Sequence, residues 1–482
     1  MHKQEMMRLT IRDILNAVGG RLISGHEGAF ANGVSTDSRT IRRGELFFAL
    51  KGPRFDGHKF IDDVVKKGAA GAVVSAEVRG LPLQAVSRGQ EPGSGSSSTQ
   101  FGIIHVEDTL KALGDLSAYW RKTHPVPLIA VSGSCGKTTT KEMIASILNT
   151  SRCILKTEGN LNNLIGLPLT LFGLNNIHKA AVVELGISMI GEMKRLAEIC
   201  KPNIAVLTNI GEAHTAILGS IEGVAAAKGE LFQGMGTDGT AIINIDDPWL
   251  LKIANNFTAK KVTFSLKSEA DVMLKDYSLD NAKGMSATFI VMGKEILVRL
   301  KYAGIHNLSN AAAAIAATFP LVVAKEEIIE GLYSAEPIPG RTEIISAASG
   351  ITIIDDTYNA NPLSMEASLK TLSSVVGGGR KIAVLGDMLE LGDIAQDAHR
   401  KIGRLVREAG IDIFFAMGSF SKDFARGAIE AGMSPERINV ATDKTSLIKG
   451  LKNIIRQGDV ILIKGSRVTA MEEVVEELKI AK

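Results

Sequence analysis

A glycine-rich turn between a short apolar run and a helix-forming run constrains this chain more than any other feature. The stretch reads Ile129-Ala130-Val131-Ser132-Gly133-Ser134-Cys135-Gly136-Lys137-Thr138-Thr139-Thr140. It predicts a buried strand, a tight turn and a helix, an order that binds phosphate because the first N–H groups of a helix have no partners inside it. The general phosphate-loop pattern has a glycine where Val131 stands, and this chain carries Gly133 instead.

The side chains after the turn supply what a nucleotide and its metal require. Lys137 adds a positive charge for the terminal phosphates of the nucleotide. The hydroxyl of Thr138 or Thr139 is a ligand of the type that Mg²⁺ accepts. The sequence therefore predicts a site for nucleotide phosphates and Mg²⁺.

Composition limits the classes to which the chain can belong. At 482 residues it predicts about three domains of ~150 residues each. A formal charge of +3 gives no reason to expect a nucleic acid or an acidic membrane as partner. The three cysteines form no CxxC pair, which predicts a reducing compartment. Because the sequence shows neither a signal-peptide pattern nor an apolar run long enough to span a bilayer, we expect a cytoplasmic location.

Two proline-containing stretches predict the domain boundaries, because the residue before a proline is disfavoured in a helix. They lie at residues 124–127 and 336–341, so we expect domains at residues 1–124, 125–336 and 337–482. Residues 91–99, rich in glycine and serine, predict a surface loop in the first domain.

One loop of the first domain has the composition of an anion site. Ser35, Asp37, Ser38 and Arg39 combine small hydroxyls with an arginine, and this set suits phosphate or uronate oxygens. A plain turn is the alternative, since the same residue types favour turns.

Alternating apolar and helical runs in the central domain predict a mostly parallel sheet with crossover helices. Glu184 ends one predicted strand and His214 follows the next, at the sheet edge where ligands bind. If both converge on the phosphate-turn threonine, they complete a divalent-metal site. Otherwise Glu184 is a cap and His214 is a loop histidine.

Three further polar residues of the central domain lie on predicted helices. The spacing around Lys228 alone predicts a solvent-exposed lysine. Asn307 and Asn310 are one helical turn apart and face the same way. These two amides either contact an adenine edge or cap the helix.

The last domain repeats the alternation of strands and helices and predicts a Rossmann-like sheet. Its first strand is not followed by G-x-G-x-x-G, so a dinucleotide is not implied. Polar residues end three predicted strands, at residues 355–362, 385–388 and 464–467. Since the ends of parallel strands meet at one edge, these residues predict a second binding face.

Seven short motifs occur in one order along the chain. They are Gly-Ser-Cys-Gly-Lys-Thr-Thr-Thr-Lys-Glu from Gly133, Glu-Gly-Asn-Leu-Asn-Asn from Glu158, Thr-Asn-Ile-Gly-Glu-Ala-His from Thr208, Ala-Lys-Gly-Glu from Ala227, His-Asn-Leu-Ser-Asn from His306, Gly-Arg from Gly340 and Asp-Asp-Thr-Tyr-Asn-Ala-Asn-Pro from Asp355. This ordered set resembles the Mur ligases of peptidoglycan synthesis over nearly the whole chain. The last motif, with Leu-Gly-Asp-Met-Leu-Glu-Leu-Gly from Leu385, is most similar to the member that adds D-alanyl-D-alanine to UDP-N-acetylmuramoyl-tripeptide.

The resemblance implies an ATP-dependent amide-bond ligase with Mg²⁺ as cofactor. It implies an α/β fold of three domains: an N-terminal UDP-substrate domain, a central P-loop-type ATPase domain with a mostly parallel sheet, and a C-terminal Rossmann-like domain. Transfer of the γ-phosphoryl group would make an acyl phosphate, which the amine of the dipeptide then attacks. The expected partners are UDP-N-acetylmuramoyl-tripeptide and D-alanyl-D-alanine, without nucleic acid or membrane, and the expected state is a monomer.

The same resemblance implies residue roles. The implied catalytic residues are Lys137, Lys228, His214 and Glu184, and the implied metal ligands are Thr138, Glu184, His214 and Lys228 in carbamylated form. The implied ATP-binding residues are Gly133, Ser134, Cys135, Gly136, Lys137, Thr138, Thr139, Asn307, Asn310, Arg341 and Asp356. The implied substrate-binding residues are Ser35, Asp37, Ser38, Arg39, Asn163, Tyr358, Asn359, Asn361, Lys464, Ser466 and Arg467.

Two alternative functions share parts of this pattern. A related ligase that adds diaminopimelate or lysine, or a ligase similar to folylpolyglutamate synthase, uses the same ATP parts. A non-catalytic nucleotide-binding protein needs no second polar face at the strand ends. The segment Ile-Ser-Met-Ile at residues 187–190 departs from the family pattern, and residues 91–99 resemble an insertion.

Overall fold

The structure, a computed structural model, describes residues 7–75, 101–279, 284–347, 349–375 and 379–480. Residues 91–99, predicted as a surface loop, lie outside these ranges. Contacts between residues divide the chain into two compact units. The first comprises Met1–Ala130, Arg152–Gly186 and Lys194–Pro202, and the second comprises Val131–Ser151, Ile187–Met193 and Asn203–Lys482.

Helices and strands alternate along most of the chain, as the sequence predicts. The helices are Ile11–Val18, Ile61–Lys66, Thr109–Thr123, Lys137–Asn149, Gly166–Leu171, Glu192–Cys200, Thr215–Leu218, Ile221–Gln233, Pro248–Asn255, His306–Thr318, Lys325–Ser334, Pro362–Ser374, Ala395–Glu408, Ser421–Glu430, Lys444–Ile454 and Glu472–Ile480. The strands are Leu9–Thr10, Arg21–Ser24, Phe30–Ala31, Val34–Ser35, Leu46–Phe48, Gly71–Val74, Gly102–His105, Leu128–Ser132, Ile154–Lys156, Ala180–Glu184, Ile204–Leu207, Thr240–Asn244, Lys260–Ser265, Val272–Leu279, Met285–Val291, Lys294–Leu300, Glu343–Ser346, Thr352–Asp356, Lys381–Gly386, Ile413–Met417, Ile438–Ala441 and Val460–Lys464.

The first unit contains a five-stranded sheet whose edge carries the predicted anion loop. The strand order is Arg21–Ser24, Gly102–His105, Gly71–Val74, Leu46–Phe48 and Val34–Ser35. Only the first pair is antiparallel. Ser35 therefore lies at the end of an edge strand, and the chain leaves the sheet there into the turn that contains Asp37 and Arg39.

Side-chain caps set the boundaries of helices in the first unit. Thr10 and Asp13 form a capping box at the start of Ile11–Val18, and Gly19 ends that helix with φ 64°. Asp108 accepts from the N–H groups of Leu110 and Lys111 and so caps the start of Thr109–Thr123.

The second unit contains parallel strands that continue into antiparallel ones. The strands Ile204–Leu207, Thr240–Asn244 and Lys260–Ser265 pair in parallel, as predicted. Three strands that were not predicted, Val272–Leu279, Met285–Val291 and Lys294–Leu300, then extend the sheet. Met285–Val291 pairs antiparallel with both Val272–Leu279 and Lys294–Leu300. A two-residue turn at Met292 and Gly293, where φ is 47° and 78°, joins it to Lys294–Leu300.

A six-stranded sheet forms the C-terminal part of the second unit. Its order is Glu343–Ser346, Thr352–Asp356, Val460–Lys464, Lys381–Gly386, Ile413–Met417 and Ile438–Ala441. Every pair except the first is parallel, which confirms the predicted Rossmann-like sheet. Apolar clusters cover both faces: one contains Ile354, Leu385 and Phe414, and the other contains Ile353, Val384 and Phe415. The alternation of these residues along each strand follows from the two-residue period of a strand.

The α/β class and the mostly parallel sheets are therefore as predicted. No helix within the described ranges has the length and apolar character needed to cross a membrane.

Candidate functional site

The glycine-rich turn joins the strand Leu128–Ser132 to the helix Lys137–Asn149. Gly133 and Gly136 have φ of 143° and 79°, in the region that favours glycine. A Cβ on Gly133 would lie 2.0 Å from Thr208 Oγ1, and one on Gly136 would lie 2.2 Å from Asn310 Oδ1. Both positions therefore require glycine for backbone conformation and for space.

The start of this helix is suited to an anion. Gly136 precedes the helix, and among the described residues no side chain caps its N-terminus. Lys137 Nζ donates to the carbonyl of Gly133 at 2.9 Å, so the ammonium group lies back over the turn. Thr138 and Thr139, in the first helical turn, are buried. A helix N-terminus with an adjacent cation binds phosphate.

Asn209 holds the peptide groups of Cys135, a role that the sequence analysis missed. The Cys135 N–H donates to Asn209 Oδ1 at 2.8 Å, and Asn209 Nδ2 donates to the Cys135 carbonyl at 3.2 Å. The Ser134 N–H donates to the Asn209 carbonyl at 3.0 Å. The signal was present in the motif Thr-Asn-Ile-Gly-Glu-Ala-His, where Asn209 directly follows a predicted strand.

Asn361 joins the phosphate turn to the C-terminal sheet. Its Oδ1 accepts from Ser364 N at 2.9 Å, which caps the helix Pro362–Ser374, and from Cys135 Sγ at 3.2 Å. Its Nδ2 is 3.5 Å from the carbonyl of Ser134. The paired-aspartate motif, residues 355–362, therefore lies against the phosphate turn, residues 133–136. The predicted nucleotide site and the predicted binding face of the C-terminal sheet meet at this point.

Lys228 is buried, so the exposed position that helical spacing predicted is wrong. It lies on the helix Ile221–Gln233 with 2% of its surface exposed. Burial and, to a smaller extent, the positive charge of Lys137 together lower the pKa of Lys228 to about 7. A substantial fraction of this amine is therefore neutral near pH 7. A neutral amine is the form that reacts with carbon dioxide, which fits the implied carbamylation.

His214 follows a strand end and has a left-handed backbone with φ 59°. Its Nδ1 lies 2.5 Å from Glu390 Oε2, which is an ion-pair distance. Nδ1 has no hydrogen-bond partner among the described residues, so this oxygen lies off the hydrogen-bond direction of Nδ1. Burial lowers the pKa of His214, Glu390 opposes that effect, and the charges of Lys228 and Lys137 lower the pKa further. The imidazole therefore lies between a carboxylate and two lysines.

Glu184, in the first unit, has one carboxylate oxygen without a partner. It is buried at the end of the strand Ala180–Glu184, where Oε1 accepts from Asn162 Nδ2 at 2.8 Å. Within the described residues, Oε2 has no hydrogen-bond partner. A buried carboxylate oxygen of this kind is costly unless a ligand satisfies it. The capping role considered for Glu184 is not observed, because its side chain bonds the amide of Asn162.

Asn307 and Asn310 are buried at the start of the helix His306–Thr318. Asn307 Nδ2 donates to the Ala303 carbonyl at 2.7 Å, and Asn310 Nδ2 donates to Asn307 Oδ1 at 2.8 Å. The helix N-terminus has no side-chain cap among the described residues, so the alternative in which the two amides cap the helix is wrong. Asn310 Oδ1 also accepts from Thr140 at 3.3 Å, which connects this pair to the phosphate-turn helix.

Asp356 and Lys464 form a buried ion pair at the end of the C-terminal sheet. Lys464 Nζ lies 2.6 Å from Asp356 Oδ2 and donates to the Asn359 carbonyl at 3.0 Å. Burial alone would raise the pKa of Asp356, but the charge of Lys464 and hydrogen bonds from Lys464 and Ser368 hold it below its ordinary value. The pair therefore fixes the loop that begins at Asp356.

Arg341 and Tyr358 are stacked beside this pair, with Arg341 Cζ 3.9 Å from the ring centroid. Arg341 Nε is buried and, within the described part of the chain, has no hydrogen-bond partner. A guanidinium stacked on a ring with a free inward N–H is suited to an acceptor on a ligand.

Three further predicted substrate residues line the same strand ends. Asn359 is exposed and accepts through Oδ1 from Arg467 N at 3.4 Å. Ser466 is buried and accepts from Leu389 N at 2.9 Å. Arg467 is exposed and pairs with Glu472 at 3.0 Å.

The predicted substrate residues of the first unit form two separate features. In the first, the guanidinium of Arg39 lies 2.7 Å from Asp37 and lowers the pKa of that carboxyl to about 2. Ser35 Oγ accepts from Asp37 N at 3.2 Å, and the Ser38 carbonyl accepts from Lys67 at 2.7 Å. These four residues form one charged turn in which Arg39 is exposed and the other three are half-buried. In the second, Asn163 Oδ1 accepts from Gly166 N at 2.9 Å and holds the start of Gly166–Leu171.

The second unit thus brings together most of the predicted nucleotide residues. These are the phosphate turn, Lys228, His214, the Asn307–Asn310 pair, Arg341 and the Asp356 loop. Glu184, Asn163 and the Ser35–Arg39 turn belong to the first unit.

The residues present fit a divalent cation in part. Among the described residues, no group of three or more His, Cys, Asp or Glu side chains is arranged as a metal site. The implied ligand set does not need one, because it draws on a threonine hydroxyl and a modified lysine besides Glu184 and His214. In the second unit, the lowered pKa of Lys228 favours this set. Glu184, whose Oε2 has no hydrogen-bond partner among the described residues, belongs to the first unit.

Sequence models of one family match three successive parts of the chain. They are described as "Mur ligase family, catalytic domain" over residues 31–121, "Mur ligase middle domain" over residues 131–318 and "Mur ligase, glutamate ligase domain" over residues 340–467.

Relatives of known name are similar over nearly the full length. UDP-N-acetylmuramoyl-tripeptide–D-alanyl-D-alanine ligase of Bacillus subtilis (strain 168) is 36% identical, over 98% of this chain and 99% of the relative. A crystal structure of MurF from Acinetobacter baumannii has a TM-score of 0.88 at 32% identity, covering 98% of this chain and 99% of that one. The MurF ligase of Thermotoga maritima, solved in complex with ADP, has a TM-score of 0.79 at 28% identity, covering 92% and 96%.

Proposed function

This chain belongs to the Mur ligase family, and from that premise we propose how its residues perform the ligation. The protein is an ATP-dependent ligase that joins D-alanyl-D-alanine to UDP-N-acetylmuramoyl-tripeptide. A ligase that adds diaminopimelate or lysine, or one similar to folylpolyglutamate synthase, is not favoured, because the full-length relatives are named for the dipeptide reaction.

The chemistry requires activation of an unreactive carboxylate. The tripeptide carboxylate attacks the γ-phosphorus of ATP, the bond to the β-phosphate oxygen breaks, and ADP leaves. The resulting acyl phosphate has a good leaving group, so the amine of the dipeptide attacks its carbonyl carbon. The tetrahedral intermediate then expels phosphate as the amide forms and the amine loses a proton.

Residues of the phosphate turn hold the nucleotide in this scheme. The N–H groups after Gly136 and the ammonium of Lys137 contact the β- and γ-phosphates and offset the charge that accumulates during transfer. The base and ribose of the nucleotide contact Asn307, Asn310, Arg341 and Asp356. The stacked position of Arg341 on Tyr358, and the absence of a hydrogen-bond partner for its Nε among the described residues, support this role.

Mg²⁺ completes the nucleotide site in this proposal. Thr138, Glu184, His214 and carbamylated Lys228 would hold it, and it supplies positive charge to the phosphate oxygens. Carbamylation makes the buried amine of Lys228 into an anionic oxygen donor and removes the cost of a second cation near Lys137.

The two substrates would contact residues of the first unit and residues at the strand ends of the C-terminal sheet. Ser35, Asp37, Ser38 and Arg39 would bind the UDP end, and Asn163 would contact the peptide. Tyr358, Asn359, Asn361, Lys464, Ser466 and Arg467 would lie near the dipeptide and the reacting carboxylate. A monomeric state and a cytoplasmic location belong to the same proposal.

One observation carries the assignment of sites. Asn361, from the paired-aspartate motif, contacts Cys135 and Ser134 of the phosphate turn. Nucleotide phosphates and a ligand on the C-terminal strand ends would therefore be neighbours, as a transfer between them requires.

Phosphate release from ATP tests the function directly. We expect release only when both UDP-N-acetylmuramoyl-tripeptide and D-alanyl-D-alanine are present. Lys137→Ala should lower this release by at least ~100-fold while the thermal unfolding midpoint stays near that of the wild type. Phosphate release independent of both substrates would contradict the ligase assignment, and an active Lys137→Ala protein would contradict the role of Lys137.

Carbamylation has its own measurement. With ¹³C-bicarbonate, the wild-type protein should show a carbamate carbonyl signal that is lost in Lys228→Met. A matched variant, Lys267→Met, removes an exposed lysine and should keep the signal. A signal that persists in Lys228→Met would assign the carbamate to another amine.

A further inference from the structure

His214 has a charged partner from the C-terminal part of the second unit. Glu390 belongs to residues 387–392, which follow the strand Lys381–Gly386. Its Oε2 lies 2.5 Å from His214 Nδ1. The two residues are 176 positions apart in sequence, and no sequence motif joined them.

Both members of the pair have unfavourable backbone conformations. φ is 59° at His214 and 63° at Glu390, and neither residue is glycine. Such conformations cost on the order of 1–2 kcal/mol each and persist where surrounding contacts impose them. Two contacts do so here: Ala216 N donates to the Glu390 carbonyl at 3.2 Å, and Thr215 Oγ1 donates to the Leu391 carbonyl at 3.1 Å.

The residues before Glu390 are anchored within the C-terminal sheet. Asp387 Oδ2 accepts from Ser419 N at 2.7 Å, Met388 N donates to His399 Nε2 at 2.9 Å, and Leu389 N donates to Ser466 Oγ at 2.9 Å. The loop is therefore held from one side by the C-terminal sheet and from the other by residues 215–216. Between these anchors, Glu390 presents its carboxylate to His214.

We propose that Glu390 is a positioning residue for His214: the negative charge of its carboxylate, 2.5 Å from Nδ1, favours a proton on that nitrogen and thereby leaves Nε2 as the nitrogen that ligates a divalent cation beside the phosphate turn. A histidine that ligates a metal commonly has a carboxylate or carbonyl on its other nitrogen, which fixes the tautomer and the ring orientation. In this chain the carboxylate belongs to the C-terminal part. The cation site is then complete only when residues 387–392 of the C-terminal part contact residues 214–216.

The inference rests on the proposed function, since it treats His214 as a ligand. Its tests differ from those of the proposed function, because they measure the protonated nitrogen of one imidazole and the affinity for a cation rather than turnover.

The first measurement is the tautomer of His214 by ¹⁵N NMR of the metal-free protein at pH 8. The chain has 9 histidines, and the spectrum of His214→Gln identifies the signal. We expect the proton on Nδ1 in the wild type and on Nε2 in a larger fraction of Glu390→Ala. Glu390→Gln keeps an acceptor oxygen and should retain more of the wild-type tautomer. It also serves if the alanine variant does not fold.

The second measurement is the affinity for Mn²⁺, used as the probe, in the complex with ADP. Glu390→Ala should weaken Mn²⁺ binding by about 10- to 100-fold, as outer partners of metal ligands generally do. Asp393→Asn removes an exposed carboxylate from the next helical turn and should leave both measurements unchanged.

An unchanged tautomer in Glu390→Ala, or Mn²⁺ binding equal to or tighter than that of the wild type, would overturn the inference. Equal binding by His214→Gln would overturn it too, because His214 would then not be a ligand. A wild-type protein that shows the expected tautomer and Mn²⁺ affinity but no substrate-dependent phosphate release would instead contradict the ligase function.

Discussion

Lys228 and Lys464 are two buried lysines in opposite electrostatic surroundings. Each has 2% of its surface exposed. Lys464 lies 2.6 Å from the carboxylate of Asp356 and also donates to a backbone carbonyl. Burial and the positive charge of another cation, Lys137, lower the pKa of Lys228 to about 7.

The difference separates a structural lysine from a chemical one. A buried ammonium beside a carboxylate holds a loop in one conformation. A buried ammonium beside another cation loses its proton readily and becomes a nucleophilic amine. Burial of a lysine therefore does not by itself indicate its role, and the sign of the neighbouring charge does.

The largest expected effect tests the structural lysine. Lys464→Met leaves the Asp356 carboxylate buried without its cation, and we expect a loss of about 3–5 kcal/mol in the free energy of unfolding. Urea unfolding measures it. The exposed lysine Lys449 provides a control, since Lys449→Met should change the unfolding free energy by less than about 0.5 kcal/mol. A small effect of Lys464→Met would mean that this pair does not fix the loop.

Substitution of Lys228 should have the opposite consequences, with a large loss of activity and no loss of stability. Lys228→Met should reduce substrate-dependent phosphate release by roughly 100-fold or more, because a ligand to the metal is lost. The free energy of unfolding at pH 7 should not fall, since the substitution removes a buried cation that lies near another one. Parallel kinetics and urea titrations distinguish the two. Loss of stability without loss of phosphate release would reverse the comparison.

The pH dependence of stability gives a third test, in bicarbonate- and metal-free buffer. The unfolded lysine has a pKa of about 10.4, and folding lowers that of Lys228 to about 7. Between these values the unfolded state binds more protons, so stability rises with pH. The advantage of Lys228→Met over the wild type should thus be full below pH 7, on the order of a few kcal/mol, and should shrink as the pH approaches 10. A constant difference across this range would exclude the lowered pKa.

The smallest expected effect concerns the double variant Lys464→Met, Asp356→Leu. Replacing both members of a buried ion pair by apolar side chains is often neutral, so its unfolding free energy should lie within about 1 kcal/mol of the wild type. Phosphate release should remain low if Asp356 contacts the nucleotide. Recovery of release along with stability would limit both Asp356 and Lys464 to a structural role.

The sequence predicted those helices and strands that are specified by residues close together in the chain. The helix Lys137–Asn149 and the strand–helix alternation after residue 341 were found as predicted. Caps, turns and apolar periods act over a few residues, so the chain specifies them without its tertiary contacts.

The antiparallel strands at Met285–Val291 and Lys294–Leu300 show where local patterns failed. Their inward residues alternate, yet the pairing that makes them strands joins residues through the left-handed turn at Met292 and Gly293. A methionine in that conformation gives no turn signal in the sequence.

By itself, the sequence determined the phosphate turn, the order of helices and strands, and the family, because glycine spacing and apolar periods are properties of neighbouring residues. Only the tertiary structure decided that Lys228 is buried beside Lys137, that Asp356 pairs with Lys464 and that Glu390 contacts His214. Burial and charge neighbours set a pKa or a tautomer, and residues distant in sequence supply them, so these properties exist only once the chain has folded.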